Sequence, residues 1–417
     1  MALLAYAQQR LRSFLGELDR AAESDFPYPD SRKALELLRA QFRAKLKQLE
    51  DFTADSDPNV VSQQCQITLR DLFLFLPFIG FIVRSTELRN AFEAFGPFLR
   101  LAVDVLEPGT KLANRKIQLV ISSEWNYSPH MYDRIQNLDD FLFIGLPAPE
   151  SGNPLLLPLA GHELGHAVWH YDDMRGSLQE PARAAIVDAI RGNWEEYIRI
   201  FAIENLKPDQ IDNDLAALAT WRLALNSCIS QAEETFCDFL GLAIFGESYF
   251  YAFGYLLSPG LGSRSYRYPE IVTRVSHLVA VAKALGAEAP ADFVKLFEKE
   301  VYASASAADR FLIEIADEAL EKLIPELCER TLAVIKKSAL ATKSIEQTKL
   351  ILDRFKRVAP AENCRTIADM LNAAWMAYNS NDLWSEYPSM QKRKLEVLKE
   401  VVLKNLEIFE IERIQSE

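Results

Sequence analysis

Apolar residues recur at three- and four-residue steps along most of the chain, the period of helices that bury one face. Leu11, Phe14, Leu15 and Leu18 carry that period over residues 3–22. Leu35, Leu37, Leu38, Phe42 and Leu46 carry it again to about residue 51, after the helix-starting Pro29-Asp30-Ser31. Two further helices are expected over 60–76 and 85–105. The period changes after Pro108-Gly109, where 116–121 (KIQLVI) and 141–146 (FLFIGL) read as short strands. A loop holding Pro149, Gly152, Asn153 and Pro154 then leads into an apolar helix that starts between Asn153 and Pro158. A long amphipathic helix follows over about 215–245, and from Phe293 onward helix follows helix with no repeat period. The expected fold is mainly α (α+β): a core with a small β-sheet, flanked by N- and C-terminal helical regions. The boundaries are 1–110, 111–287 and 288–417.

The helix after the second strand contains His162-Glu163-Leu164-Gly165-His166, and three of the chain's five histidines fall between His162 and His170. Residues four apart on a helix lie about 40° from each other and one turn apart, so His162 and His166 can grip one ion. Glu163, rotated about 100° from His162, can take a proton from a water held by that ion. This pattern suits a catalytic zinc, which takes three protein ligands and leaves a fourth position for water. His170 continues the same face, but three i,i+4 side chains span about 12 Å, too far for one ion. His170 is therefore expected beside the ligands rather than among them. Asp172 is a weak third ligand, because Trp169 stands where a turn-forming Gly would be needed.

The better source of a third ligand is Glu233-Glu234-Thr235-Phe236-Cys237-Asp238 on the long helix. Glu234 and Asp238 share a face, so Glu234 can bind metal while Asp238 accepts the second ring N–H of a ligating histidine. Glu233 is the rival ligand. Without the histidine motif, the two glutamates would read as an exposed acidic patch.

Composition limits what such a site serves. The net charge of −13, with no basic stripe, excludes nucleic acid as the expected partner. Five scattered cysteines with no CxxC pair fit a reducing compartment. The first fifteen residues lack the order of a signal peptide, so a cytoplasmic protein is expected. Leu72 to Val83 is an uncharged run of twelve residues interrupted by Pro77 and Gly80. A membrane-spanning helix needs about twenty apolar residues, so the run reads as buried core, with a surface-inserted hairpin as the alternative and no integral membrane segment expected.

HELGH followed by EETFCD resembles the gluzincin pattern of HExxH with a downstream ExxxD. The segment Arg267-Tyr268-Pro269-Glu270-Ile271-Val272-Thr273-Arg274-Val275 is similar to the His-Pro…Arg segment of the gluzincin family of CAAX-prenyl and membrane-quality-control proteases. The resemblance covers roughly residues 112–286. Tyr268 stands where that family has its transition-state histidine, and the family's several membrane helices have no counterpart here. The resemblance implies a zincin-like core and a zinc-dependent endopeptidase acting on protein or peptide substrates, with His162, His166 and Glu234 on Zn²⁺ and Glu163 as base. Tyr268 or Arg267 would assist the oxyanion. Arg274 would make an active-site contact or, alternatively, a buried ion pair. Phe141, Phe143 and Gly145 are expected on an edge strand that holds extended peptide by backbone pairing. The helical flanks are the surfaces available to a regulatory protein partner. The contrasting expectation is a zinc-stabilised helical scaffold with little or no proteolysis, against which the carboxylate of Glu163 argues.

Overall fold

A computed structural model of the chain describes residues 2–53, 55–87, 91–108, 116–124, 130–132, 135, 138–150, 152–203, 206–212, 214–260, 264–302 and 306–416. The described residues are mainly α-helical with one three-stranded mixed sheet. The chain divides into two compact units, residues 1–95 with 115–152, and residues 96–114 with 153–417.

Unit 1 begins with three long helices, α1 (Ala2–Ala22), α2 (Pro29–Glu50) and α3 (Pro58–Arg84). Their apolar stripes meet in a core that includes Leu11, Leu18, Leu38, Phe42, Phe75 and Ile82. α4 (Ala91–Leu106) crosses the division between residues 95 and 96. The sheet comprises β1 (Gln118–Glu124), β2 (His130–Tyr132) and β3 (Phe141–Pro147), in the order β1-β3-β2. β1 runs parallel to β3 with Gln118 opposite Phe141, and β2 runs antiparallel to β3 with His130 opposite Gly145. Asp30, in the first turn of α2, accepts the Leu119 N–H at 3.0 Å and ties sheet to helices.

Three expectations are corrected in this unit. The run Leu72–Val83 is part of one helix that continues through Pro77, although a proline there cannot donate to the turn before it. α3 is thus long and apolar enough, by length and composition, to cross a membrane, whereas the sequence reading found no segment of that length. One face of it, at Leu72, Phe75, Ile79 and Ile82, lies in the core, while Phe73, Leu74 and Leu76 are exposed. Second, β3 is the central strand and not an edge, because β1 and β2 occupy its two sides. Phe141 and Phe143 are buried in the unit 1 core, and a Cβ on Gly145 would lie 2.6 Å from the His130 ring, so these residues serve sheet packing rather than an open peptide-pairing edge. Third, the sheet belongs with the N-terminal helices, not with the histidine motif, because β1 packs on α2 and α3. The expected boundary at 110/111 lies outside the described residues.

Unit 2 is built around α8 (Leu215–Phe245), the span its sequence pattern predicts. The helices before it are α5 (Ala160–Tyr171), α6 (Met174–Gly192) and α7 (Trp194–Phe201). Those after it are α9 (Glu247–Leu257), α10 (Ile271–Val281), α11 (Ala307–Lys337), α12 (Ile345–Lys356), α13 (Ile367–Asn379), α14 (Pro388–Lys392) and α15 (Lys394–Ser416). α8 is apolar on nearly all sides along its second half, with Ile229, Ala232, Phe236, Phe239 and Leu240 buried, and such a helix needs neighbours all round. α5, α6, α10, α11 and α13 supply them.

The C-terminal helices are therefore part of this core rather than a separate region beginning at 288. Asn372 on α13 donates to Phe245 O at 2.8 Å and accepts from Ser248 N at 2.8 Å, and Trp375 donates to Leu155 O at 3.0 Å. Each bond satisfies backbone groups that α8, α9 and the turn before α5 leave open at their ends.

Candidate metal centre

The site is made where α5 and α8 touch, and glycines set how closely. A Cβ on Gly165 would lie 2.6 Å from the Cys237 Cα, and one on Gly161 would lie 3.0 Å from the Gly241 Cα. These pairings run antiparallel, 161 with 241 and 165 with 237. They bring His162 and His166, one residue on from each glycine, against the carboxylates of α8. α5 itself follows a 3-10 turn, Pro154–Leu159, whose first amides are capped by Asn153 accepting from Leu155 N at 3.3 Å.

His162 Nδ1 lies 2.8 Å from Asp238 Oδ1, and His166 Nδ1 lies 2.9 Å from Glu233 Oε1. With each Nδ1–H donating to a carboxylate, each Nε2 is the atom left to face a metal ion, the arrangement that orients histidines on metals, and until a metal takes its place the His162 Nε2 proton is shared with Glu234. His162 Nε2 stands 3.3 Å from Glu234 Oε2. Two ligand atoms at zinc bond lengths of about 2.0–2.1 Å in a tetrahedron are separated by roughly 3.3–3.4 Å, so the pair fits one ion. The two imidazoles stand nearly perpendicular, at 82° with centroids 5.0 Å apart. His170 Nε2 lies 3.4 Å from the same Glu233 oxygen that His166 uses, which puts it beside the histidine pair.

Asp238 gathers three partners. Besides His162, it accepts from Tyr249 Oη at 2.7 Å and from Arg274 Nε and Nη2 at 2.5 and 2.8 Å. Burial would raise its pKa, but the Arg274 guanidinium holds it far below the carboxylate range. Arg274 also lies 3.8 Å from Glu234 and stacks over the rings of Phe253 and Tyr268. Burial likewise opposes charge on Glu234, and the hydrogen bond from His162 with the nearby positive groups brings its pKa below the usual value. For His162, burial disfavours the cation, while hydrogen bonds to Asp238 and Glu234 push it up to about 10.

Arg267 and Tyr268 arrive on the segment before α10. Arg267 Nε is 3.5 Å from Glu234 Oε1, with its guanidinium over the Tyr268 ring at 5.3 Å. Arg264 fixes this segment by donating to the Ser265 and Tyr268 carbonyls and to Asp317 on α11, and Tyr266 Oη donates to Asp309 at 2.5 Å. Burial, then the Glu234 charge, raises the Tyr268 hydroxyl pKa, so it remains a donor at neutral pH.

The structure thus brings together His162, His166, Glu234, Asp238, Arg267, Tyr268, Arg274 and His170, with Glu163 buried on α5 beside His162. Phe141, Phe143 and Gly145 belong to unit 1. Sequence reasoning did not single out Cys237, whose Sγ lies with the two histidines' nitrogens in a group spanning no more than 4.8 Å. Burial and the surrounding carboxylates raise that thiol well above its usual pKa. It also treated Glu233 only as a rival ligand and passed over Tyr249, eleven residues beyond Asp238 on the next helix, where no spacing rule reaches. No protein-family model, curated protein or solved structure matches the chain.

Proposed function

We propose that the protein is a zinc-dependent peptidase, with His162 Nε2, His166 Nε2 and Glu234 as the metal ligands. The observation that carries the reading is the 3.3 Å spacing of His162 Nε2 and Glu234 Oε2 together with a carboxylate on the Nδ1 of each histidine. A bound Zn²⁺ would lower the pKa of a water to about 7 and polarise the scissile carbonyl. Glu163 takes a proton from the attacking water on its carboxylate and delivers it to the leaving amine. Asp238 and Glu233 hold the two imidazoles in one tautomer and orientation. Tyr268 offers its O–H, and Arg267 its charge, to the substrate oxygen as negative charge develops there. Glu163→Gln should retain stoichiometric zinc and lose cleavage of an unfolded protein substrate. Cleavage at the wild-type rate by zinc-loaded Glu163→Gln would overturn the assignment.

A second reading has its own observation. Cys237 Sγ and a ring nitrogen of each histidine lie within 4.8 Å of one another, so a metal held by His162, His166 and Cys237 would be structural. Cobalt substitution separates the two, because a thiolate ligand adds a charge-transfer band in the near ultraviolet and an open site does not.

A further inference from the structure

A cavity lies within unit 2 at the last turn of α8, lined there by Ala243, Ile244 and Phe245, beyond the histidine-facing carboxylates. Its volume is about 340 Å³, inside the range of small-molecule sites, roughly 300–1,000 Å³. Its walls are mostly apolar and come from α4, α8, α11, α15 and the segments before α12 and α13, with Leu101, Ile244, Leu285, Ile335, Leu340 and Phe409 among them. Three cations stand in this lining: Arg100, Lys343 and Arg365.

The cations are not equivalent. Arg100 is paired with Asp104 at 3.1 Å, itself a lining residue. Lys343 Nζ donates one hydrogen bond, to Ala243 O at 2.9 Å, which leaves two ammonium hydrogens for other acceptors. Burial lowers its pKa, although the Glu247 and Asp369 carboxylates oppose that. Both carboxylates lie outside the lining; Glu247 accepts from Glu288 N at 3.0 Å, and Asp369 accepts from Ser344 N at 2.8 Å through Oδ1 while its Oδ2 is buried without a hydrogen-bond partner. Arg365 is exposed at the rim and makes no ion pair among the described residues. Among the residues that line it, the cavity therefore joins an apolar body to a polar end whose charges outside the Arg100–Asp104 pair are positive.

We propose that this cavity binds an amphipathic monocarboxylate, its head on Lys343 and Arg365 and its hydrocarbon chain against Leu101, Leu285, Ile335 and Phe409. A neutral apolar ligand would cover the Lys343 ammonium without replacing its water, which is costly. An ammonium head would meet two like charges. A carboxylate satisfies both cations with charge-assisted hydrogen bonds, while the chain removes apolar wall from water at roughly 25 cal/mol per Å².

The test is calorimetric titration of the full, zinc-loaded protein with octanoate, octanol, octylammonium and acetate. Octanoate should bind one per chain, with octanol and octylammonium at least about tenfold weaker and acetate not detectable. Two exposed-site variants, Arg365→Gln at the head and Ala341→Trp at the mouth, should each weaken octanoate about tenfold or more while leaving thermal unfolding of the ligand-free protein in place. Absence of octanoate binding overturns the proposal. So does octanol or octylammonium binding as well as octanoate, or octanoate binding that neither variant weakens.

Discussion

Replacing Gly165 by alanine puts one methyl group into the contact that defines the site. The added carbon would stand 2.6 Å from Cys237 Cα and 2.9 Å from its Cβ, where ordinary contact begins at 3.4 Å. Backbone atoms cannot swing aside as a side-chain tip can, so α5 and α8 must part by about 0.8 Å or more, at an overpacking cost of about 1–3 kcal/mol. The same displacement stretches His162 Nε2 to Glu234 Oε2 from 3.3 Å toward 4.1 Å. Two zinc bonds of about 2.05 Å reach across about 4.1 Å only when collinear, which a tetrahedral ion does not allow. Gly165→Ala should therefore lose a ligand and bind zinc at least about a hundredfold more weakly, about 2.8 kcal/mol at 1.4 kcal/mol per tenfold. Chelator competition measures the affinity and thermal unfolding the packing cost. Gly16→Ala on α1, whose new Cβ meets nothing within 4 Å, is the control and should leave both readings in place or gain up to about 1 kcal/mol of stability. If Gly165→Ala keeps zinc within about threefold of wild type, the close helix contact does not set the donor spacing.

Two other substitutions separate ligand orientation from fold. Asp238→Asn strips Arg274 of its buried partner and should cost about 3–5 kcal/mol, read as a fall in the denaturation midpoint. A loss under about 1 kcal/mol would mean that Arg274 finds water or Glu234 instead. Glu233→Gln removes the negative charge that holds His166, which sits at 2.9 Å, while the partly exposed position spares the fold. Zinc affinity should drop about 10- to 100-fold with unfolding unchanged, and unaltered affinity would remove Glu233 from the orienting role.

Periodicity made the helices readable, and α8 was bounded correctly because an apolar pattern over thirty residues has only one regular solution. The strands at 116–121 and 141–146 correspond to β1 and β3, since an unbroken apolar run marks each, Leu119-Val120-Ile121 in one and Phe141-Leu142-Phe143-Ile144 in the other. His130–Tyr132 escaped notice because three residues carry no alternation to read. The motif helix begins at Ala160, later than the proline signals suggest, because Pro154–Leu159 winds as a tighter 3-10 turn first. What the sequence could not display is register. Glu233 and Glu234 are adjacent and chemically alike, and only the pairing of Gly161 and Gly165 against Gly241 and Cys237 decides which histidine atom each one faces. Strand neighbours were hidden for the same reason: a short hydrophobic run such as Phe141–Pro147 looks alike at the edge or in the middle of a sheet.

The crowd of carboxylates between α5 and α8 carries one more consequence, in the currency of charge. Glu163, Glu233, Glu234 and Asp238 contribute four negative charges, and Arg267 and Arg274 return two positive ones. The remainder is two negative charges, one of them offset by the His162 cation until that ring gives up its proton to a metal, and unbalanced charge mostly out of water strains a folded chain. A divalent cation brings the sum to zero, whereas a monovalent ion falls short and a trivalent one overshoots. Under the proposed function, the unfolding free energy of the chain would then follow the concentration of free divalent metal around it, rising with the logarithm of that concentration as any tightly held ligand dictates.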